Sequence, residues 1–130
     1  MMRRGLLLFL FTVLISPTLQ AGLFDNREQQ AAKLFEKGKY DKAAREFTDD
    51  YRRGVAQYRA GQYAQAAESF QEVDRKSVRT QALYNLGNSR VRSGELGRGI
   101  AAYLAAARLL PRDQDVQANL DYAERAAQGG

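Results

Sequence analysis

Two stretches of this chain repeat one another: Lys37-Gly38-Lys39-Tyr40-Asp41-Lys42-Ala43-Ala44 and Ala60-Gly61-Gln62-Tyr63-Ala64-Gln65-Ala66-Ala67. Each reads Gly-x-Tyr-x-x-Ala-Ala, and each is followed three residues later by a phenylalanine, Phe47 or Phe70. A looser third copy, Ser93-Gly94-Glu95-Leu96-Gly97-Arg98-Gly99-Ile100, has Tyr103 in the place of the phenylalanine. Gly61 and Gly94 stand 33 residues apart, whereas Gly38 and Gly61 are separated by only 23, so the first unit is shortened. Recurrence at such a period predicts a series of like supersecondary units, each burying its apolar face on the next.

The units are helical. From Asp25 onward apolar residues recur at intervals of three and four, alanine is dense, and no window alternates over a strand's length. Asp25 with Glu28 reads as a capping box that opens the first helix. Of the two prolines, Pro17 precedes the helical region and Pro111 stands where a helical pattern ends. Gly97 and Gly99 fall inside a helix, at about 1 kcal/mol each relative to alanine, which predicts that the third unit is the softest.

The pattern resembles the tetratricopeptide (TPR) repeat. In the third unit Leu83 matches the large residue of helix A, Leu86-Gly87 the Leu-Gly pair, Ala106 the small residue of helix B, and Pro111 the terminal proline. In the second, Gly54, Gly61, Tyr63, Ala66 and Phe70 fall in register. Asp50, Arg90 and Gly99 depart from the pattern, standing for a large apolar residue, a tyrosine and an alanine. The resemblance implies an all-α, TPR-type helix-hairpin solenoid. Its repeats would cover about 25–49, 50–79 and 80–113, with a capping helix over 114–128. In that helix Val116, Leu120 and Ala123 face inward, while Asp115, Asp121, Glu124 and Arg125 face water.

A finer likeness runs from Glu28 to Ala126. Leu34-Phe35-Glu36-Lys37-Gly38-Lys39-Tyr40, Phe47 to Gly61, Tyr84 to Asn88 and Ala118-Asn119-Leu120 are similar to the TPR segments of bacterial aerotolerance-operon (Bat) proteins. In those proteins the TPR is often fused behind a membrane-anchored von Willebrand factor A domain. The resemblance therefore implies a membrane-associated von Willebrand factor A-type protein as the partner here. The Arg75-Lys76-Ser77-Val78-Arg79 connection is longer than the family's.

Composition excludes much else. With no Cys and no His, disulfides, thiol or imidazole catalysis and Cys- or His-ligated metals are closed. No cofactor, small-molecule substrate or enzymatic activity is expected. Asp49-Asp50 and Glu68/Glu72 are the available acidic pairs, of a kind that surface helices carry routinely. The net charge is +5, and the basic residues are mixed along the chain, so nucleic acid is not expected as a partner.

The N-terminus reads as an address. Arg3 and Arg4 precede an apolar run from Gly5 to Ile15, broken only by Thr12 and too short for a span of about 20 residues. This predicts a secretory signal over 1–21, cleaved after Ala21, with the TPR domain over 22–130 in the periplasm or another extracytoplasmic space. The alternative is an uncleaved inner-membrane anchor over 5–24, whose second half carries Ser16, Pro17, Thr18 and Gln20.

TPR helices A line a concave face. The register places Tyr51, Val55, Tyr58 and Arg59 there, followed by Tyr84, Asn88, Val91 and Arg92, then Ala118, Asn119, Tyr122 and Arg125. Tyr and Arg are the residue types of binding hot spots, although tyrosines at helical spacing also pack between helices. Tyr58 and Tyr84 are expected to reach the groove more than Tyr122. Asn88 and Asn119 match the two asparagines of the carboxylate clamp found in some TPR proteins. Tyr84 replaces the clamp's lysine and no further repeat follows, so a backbone grip is expected instead. The Arg59/Arg92 side is expected to receive a segment of acidic character. The competing reading is a self-assembling helical-repeat module, or a general envelope assembly co-factor, with no dedicated peptide groove.

Overall fold

The computed structural model describes residues 17–129. The Gly5–Ile15 run lies outside them, as do the first twelve positions of the alternative anchor. The expected cleavage point after Ala21 falls within the first helix.

Three glycines set the architecture. Gly38, Gly61 and Gly94 have φ of +73°, +77° and +88°, the left-handed region that side-chain-bearing residues avoid. Each closes a helix in the same way. The Gly38 amide donates to the Phe35 carbonyl and the Lys39 amide to Leu34, both at 2.9 Å; Gly61/Gln62 and Gly94/Glu95 repeat the pair. This double bond consumes carbonyls that the helix end leaves open and turns the chain back sharply.

The result, among the described residues, is three helical hairpins and a final helix: α1 (Pro17–Glu36) with α2 (Tyr40–Glu46), α3 (Asp50–Arg59) with α4 (Tyr63–Gln71), α5 (Arg79–Arg92) with α6 (Leu96–Leu109), then α7 (Gln114–Gln128). A single 3-10 turn, Lys76–Val78, forms the longer connection into α5. The described residues are all-α, as expected. Each helix packs on the next in sequence, and α5 also touches both α3 and α7, so α3, α5 and α7 form one layer.

The core is built from alanines and a few rings. Ala31, Ala43, Ala44, Phe47 and Ala56 form one cluster; Ala66, Ala67, Phe70, Leu86 and Ala102 belong to the next; Tyr103, Leu120 and Ala123 form the third. Small residues let helix backbones approach, and the rings fill what is left. At Gly54 an added Cβ would lie 2.8 Å from the Phe70 ring, and at Gly87 it would lie 2.4 Å from that of Tyr103. Both pairs obey the 33-residue period. Burial of a ring such as Phe70, 3% exposed, contributes about 2 to 3 kcal/mol.

Two sequence expectations are corrected. Asp25 and Glu28 open no helix, because α1 begins upstream of both. Asp25 accepts from Gln29 on the same helix, while Glu28 reaches across to the start of α3. Nor is Gly99 a soft spot. It is buried, and a Cβ there would stand 2.7 Å from Val91 Cγ2 and 3.3 Å from the Gly87 carbonyl. Its absent side chain is what allows α6 to lie against α5. Gly97 is exposed with open space around it.

In α7, Val116, Leu120 and Ala123 are buried against α6, while Asp115, Asp121, Glu124 and Arg125 are exposed, matching the spacing. No helix of the described residues is long and apolar enough to cross a membrane.

Candidate functional site

The layer of odd-numbered helices carries the residues expected to bind. Asp49 caps α3, its carboxylate accepting from the Arg52 amide at 2.9 Å, and Asp113 does the same for α7 through the Val116 amide at 3.0 Å. The caps fix where these helices start, and so which side chains share the face.

At the N-terminal end, Tyr51 and Val55 meet Ala32, Phe35 and Glu36 of α1, with Phe47 and Arg52, around a mainly apolar cleft of about 340 Å³. Glu28 ties α1 to the start of α3. Its carboxylate accepts from the Thr48 amide and hydroxyl, both at 2.5 Å, from the Asp49 amide at 3.1 Å and from Arg52 at 3.3 Å. Burial alone pushes the Glu28 carboxyl up, but these donors together outweigh it and hold the group below its ordinary 4.5. Arg27 pairs with Glu46 nearby, at 3.6 Å.

At the C-terminal end the expected residues bond to one another. Asn119 Nδ2 donates to Tyr84 Oη and to Asn88 Oδ1, both at 2.9 Å, and Tyr103 Oη donates to the same Asn88 oxygen at 2.6 Å. Asn88 and Asn119 thus serve first as links between α5, α6 and α7. Of the two side chains' amide atoms, Asn88 Nδ2 and Asn119 Oδ1 have no partner among the described residues. A weaker copy of the link joins Asn85 Nδ2 to Tyr51 Oη at 3.5 Å. Burial, with Tyr84 and Tyr58 nearby, pushes the Tyr103 hydroxyl up to about 12, and burial also raises Tyr51.

Between these ends lies a cationic, aromatic surface. Arg92 Nη2 donates to Tyr63 Oη at 2.9 Å, its guanidinium carbon lies 5.0 Å from the Tyr63 ring centre, and the Tyr58 ring meets Tyr63 edge-on at 5.1 Å. The hydrogen bond to Tyr63 holds the Arg92 guanidinium above its ordinary pKa. Arg59 is exposed.

Tyr122 reverses the expectation. It is 67% exposed, whereas Tyr58 and Tyr84 are half-buried against the core. The physical reason is position: among the described residues α7 packs on α6 and α5, and no other helix lies against its outer flank. Sequence reasoning used Tyr63 only as a repeat marker and did not place Phe35, Arg52 or Asn85 at the site. Tyr63 shares its face with Arg92 only because α4 packs against α5, a contact that no local signal announces.

Of the acidic pairs, Glu68 and Glu72 are exposed on α4 and its end, and Asp49-Asp50 is occupied structurally. Asp49 caps α3 and pairs with Arg75 at 2.8 Å, and Asp50 pairs with Arg53. Among the described residues no group of three or more acidic side chains could hold a metal, and no buried side-chain polar atom lacks a partner. The carboxyl of Glu28 and the hydroxyls of Tyr51 and Tyr103 are all shifted away from neutral pH.

No protein-family model matches this chain, and no curated protein matches it.

Proposed function

We propose that this chain is a non-catalytic scaffold of the bacterial cell envelope, a TPR-type solenoid that docks a segment of a partner protein on the α3–α5–α7 face. The TPR reading is supported by the coincidence of turn and interlock. Three left-handed glycines end the first helix of each hairpin, and Gly54–Phe70 and Gly87–Tyr103 repeat at 33 residues, close to the 34-residue TPR period.

The observation that carries the binding reading is the exposure of Tyr122, Arg59 and Arg92 on one layer of helices. A tyrosine 67% exposed leaves apolar area in water that a partner would cover, with neighbouring cations to fix its orientation. On the resemblance to Bat proteins, the partner is a membrane-associated von Willebrand factor A-type protein, and the scaffold acts outside the cytoplasm behind its N-terminal signal.

The test is in-cell crosslinking from a photoreactive residue at Tyr122, with mass spectrometry of the captured species. Capture of a von Willebrand factor A-type membrane protein is the expected result. Crosslinks only between copies of this chain, together with gel-filtration size that grows with concentration, would overturn it in favour of self-assembly. The charged residues Asp115, Asp121, Glu124 and Arg125 on the outer face of α7 disfavour end-to-end stacking there.

A further inference from the structure

Arginines stand at 59, 92 and 125, separated by the same 33 residues that relate Tyr51 to Tyr84 and Gly54 to Gly87. The interval puts each in the last turn of an odd-numbered helix: Arg59 ends α3, Arg92 ends α5, and Arg125 lies in the last turn of α7. Because α3 touches α5 and α5 touches α7, successive arginines are about one helix spacing apart, roughly 10 Å.

A cation at a helix C-terminus gains from the macrodipole, which accounts for a basic residue there but not for the absence of a carboxylate beside it. Arg27, Arg45, Arg52, Arg53, Arg75 and Arg98 each hold one. Arg59, Arg92 and Arg125 are exposed and hold none among the described residues, as is also true of Arg79, Arg108 and Arg112; what sets the three apart is their place in the last turns of the neighbouring helices α3, α5 and α7. Arg92 is also pre-positioned by its hydrogen bond and stacking on Tyr63, which lowers the ordering cost of a contact. Aromatic surface flanks the row, with Tyr58 beside Arg59 and Tyr122 three residues before Arg125.

The spacing narrows the conformation of what binds to two: an α-helix returns a side chain to one face after seven residues, about 10.5 Å, and a polyproline II segment, which suits the flanking aromatic surface, after three. A β-strand presents one face every second residue, about 6.7 Å apart, out of step with the row. A polyproline II segment has three residues per turn at about 3.1 Å each, so every third side chain returns to the same face after about 9.3 Å. Such segments dock on aromatic-lined grooves. We propose that Arg59, Arg92 and Arg125 form a ladder for an acidic polyproline II segment of a partner protein, with a carboxylate at every third residue. This rests on the scaffold reading for the choice of face and adds the chemistry and periodicity of the ligand.

The test uses the full-length chain and fluorescently labelled peptides. The probe (Glu-Pro-Pro)4 is compared with a peptide of the same composition whose glutamates are contiguous, with a helical peptide bearing glutamate every seventh residue, and with a 12-nucleotide single strand. The expected result is that (Glu-Pro-Pro)4 binds best. Each of Arg59→Gln, Arg92→Gln and Arg125→Gln is expected to weaken it about three-fold, and the triple variant about thirty-fold. Triple replacement of the exposed Arg79, Arg108 and Arg112 by glutamine removes the same charge off the row and is expected to change nothing. Retention of the circular-dichroism melting curve by both triple variants separates a lost contact from a lost fold; if the on-row variant unfolds, Arg92→Lys, which keeps the charge but loses the planar stack, must still weaken the probe.

Equal losses from both triple variants, better binding of the contiguous or helical peptide, or equal binding of the oligonucleotide would each overturn the ladder. If the ladder fails while Tyr122 still captures a partner in cells, the scaffold reading stands; if both fail, the face itself is wrong.

Discussion

The first and third hairpins share a turn but not a means of cohesion. In α5–α6 the helices interlock: Gly87 receives the Tyr103 ring, Gly99 receives Val91, and the Tyr103 hydroxyl is tied through Asn88 to Asn119 and Tyr84. In α1–α2 the second helix has only seven residues, the core is mostly alanine, and the hairpin is pinned to α3 by the polar contacts of Glu28. Steric fit tolerates no added atom, whereas a carboxylate pin is tuned by protons. The two ends should therefore fail under different perturbations.

The largest expected effect comes from filling the interlock. Gly87→Ala drives a methyl into the Tyr103 ring and is expected to cost about 3 kcal/mol, measured by urea unfolding. Gly54→Ala, with slightly more room against Phe70, is expected to cost about 2 kcal/mol. Equal, negligible losses at both positions would mean that the rings swing aside and the interlock is not what holds these hairpins.

Next is the pin. Glu28→Gln is expected to lose about 1 to 2 kcal/mol at neutral pH. Because the folded carboxyl titrates below its ordinary value, its contribution is complete above that value and disappears as pH falls through the lowered one. Melting curves of the native chain and the variant should consequently converge in acid, once the pH is below the lowered value. A gap that persists into acid would show that the amide's shape, not the carboxylate's charge, matters at this place.

The smallest effect sharpens the comparison inside one helix. Gly97→Ala, into open space, is expected to stabilise by up to about 1 kcal/mol, while Gly99→Ala, two residues on, destabilises. Thermal melts of the two variants must move in opposite directions.

Much of this was legible before any coordinates. The recurring Gly-x-Tyr-x-x-Ala-Ala announced turns at Gly38, Gly61 and Gly94, and the inward face of α7 followed from period alone. Local sequence was misleading where a residue's partner lies far along the chain. Asp25 and Glu28 have the spacing of a helix start, yet Glu28 binds Thr48, twenty residues away. Gly99 looks like a helix weakness until Val91 is beside it. At the candidate site, the row of Tyr and Arg positions was visible from the register, but the half-buried state of Tyr58 and Tyr84 and the exposure of Tyr122 were not. Exposure depends on what packs on the other side.

The sequence by itself determined the helical class, the hairpin turns and the alignment of residues 33 apart, because these depend on backbone propensity and on interactions within one or two helical turns. The tertiary structure alone decided which of the aligned side chains are spent on holding the molecule together and which remain for a partner. Asn88 and Asn119 sit at positions that could grip a peptide, and they hold α5 to α7; Arg59 and Arg92 sit one repeat apart, and among the described residues neither has a carboxylate to satisfy it. That division is set by contacts between helices distant in the chain, where burial and charge pairing are settled only once the layers have met.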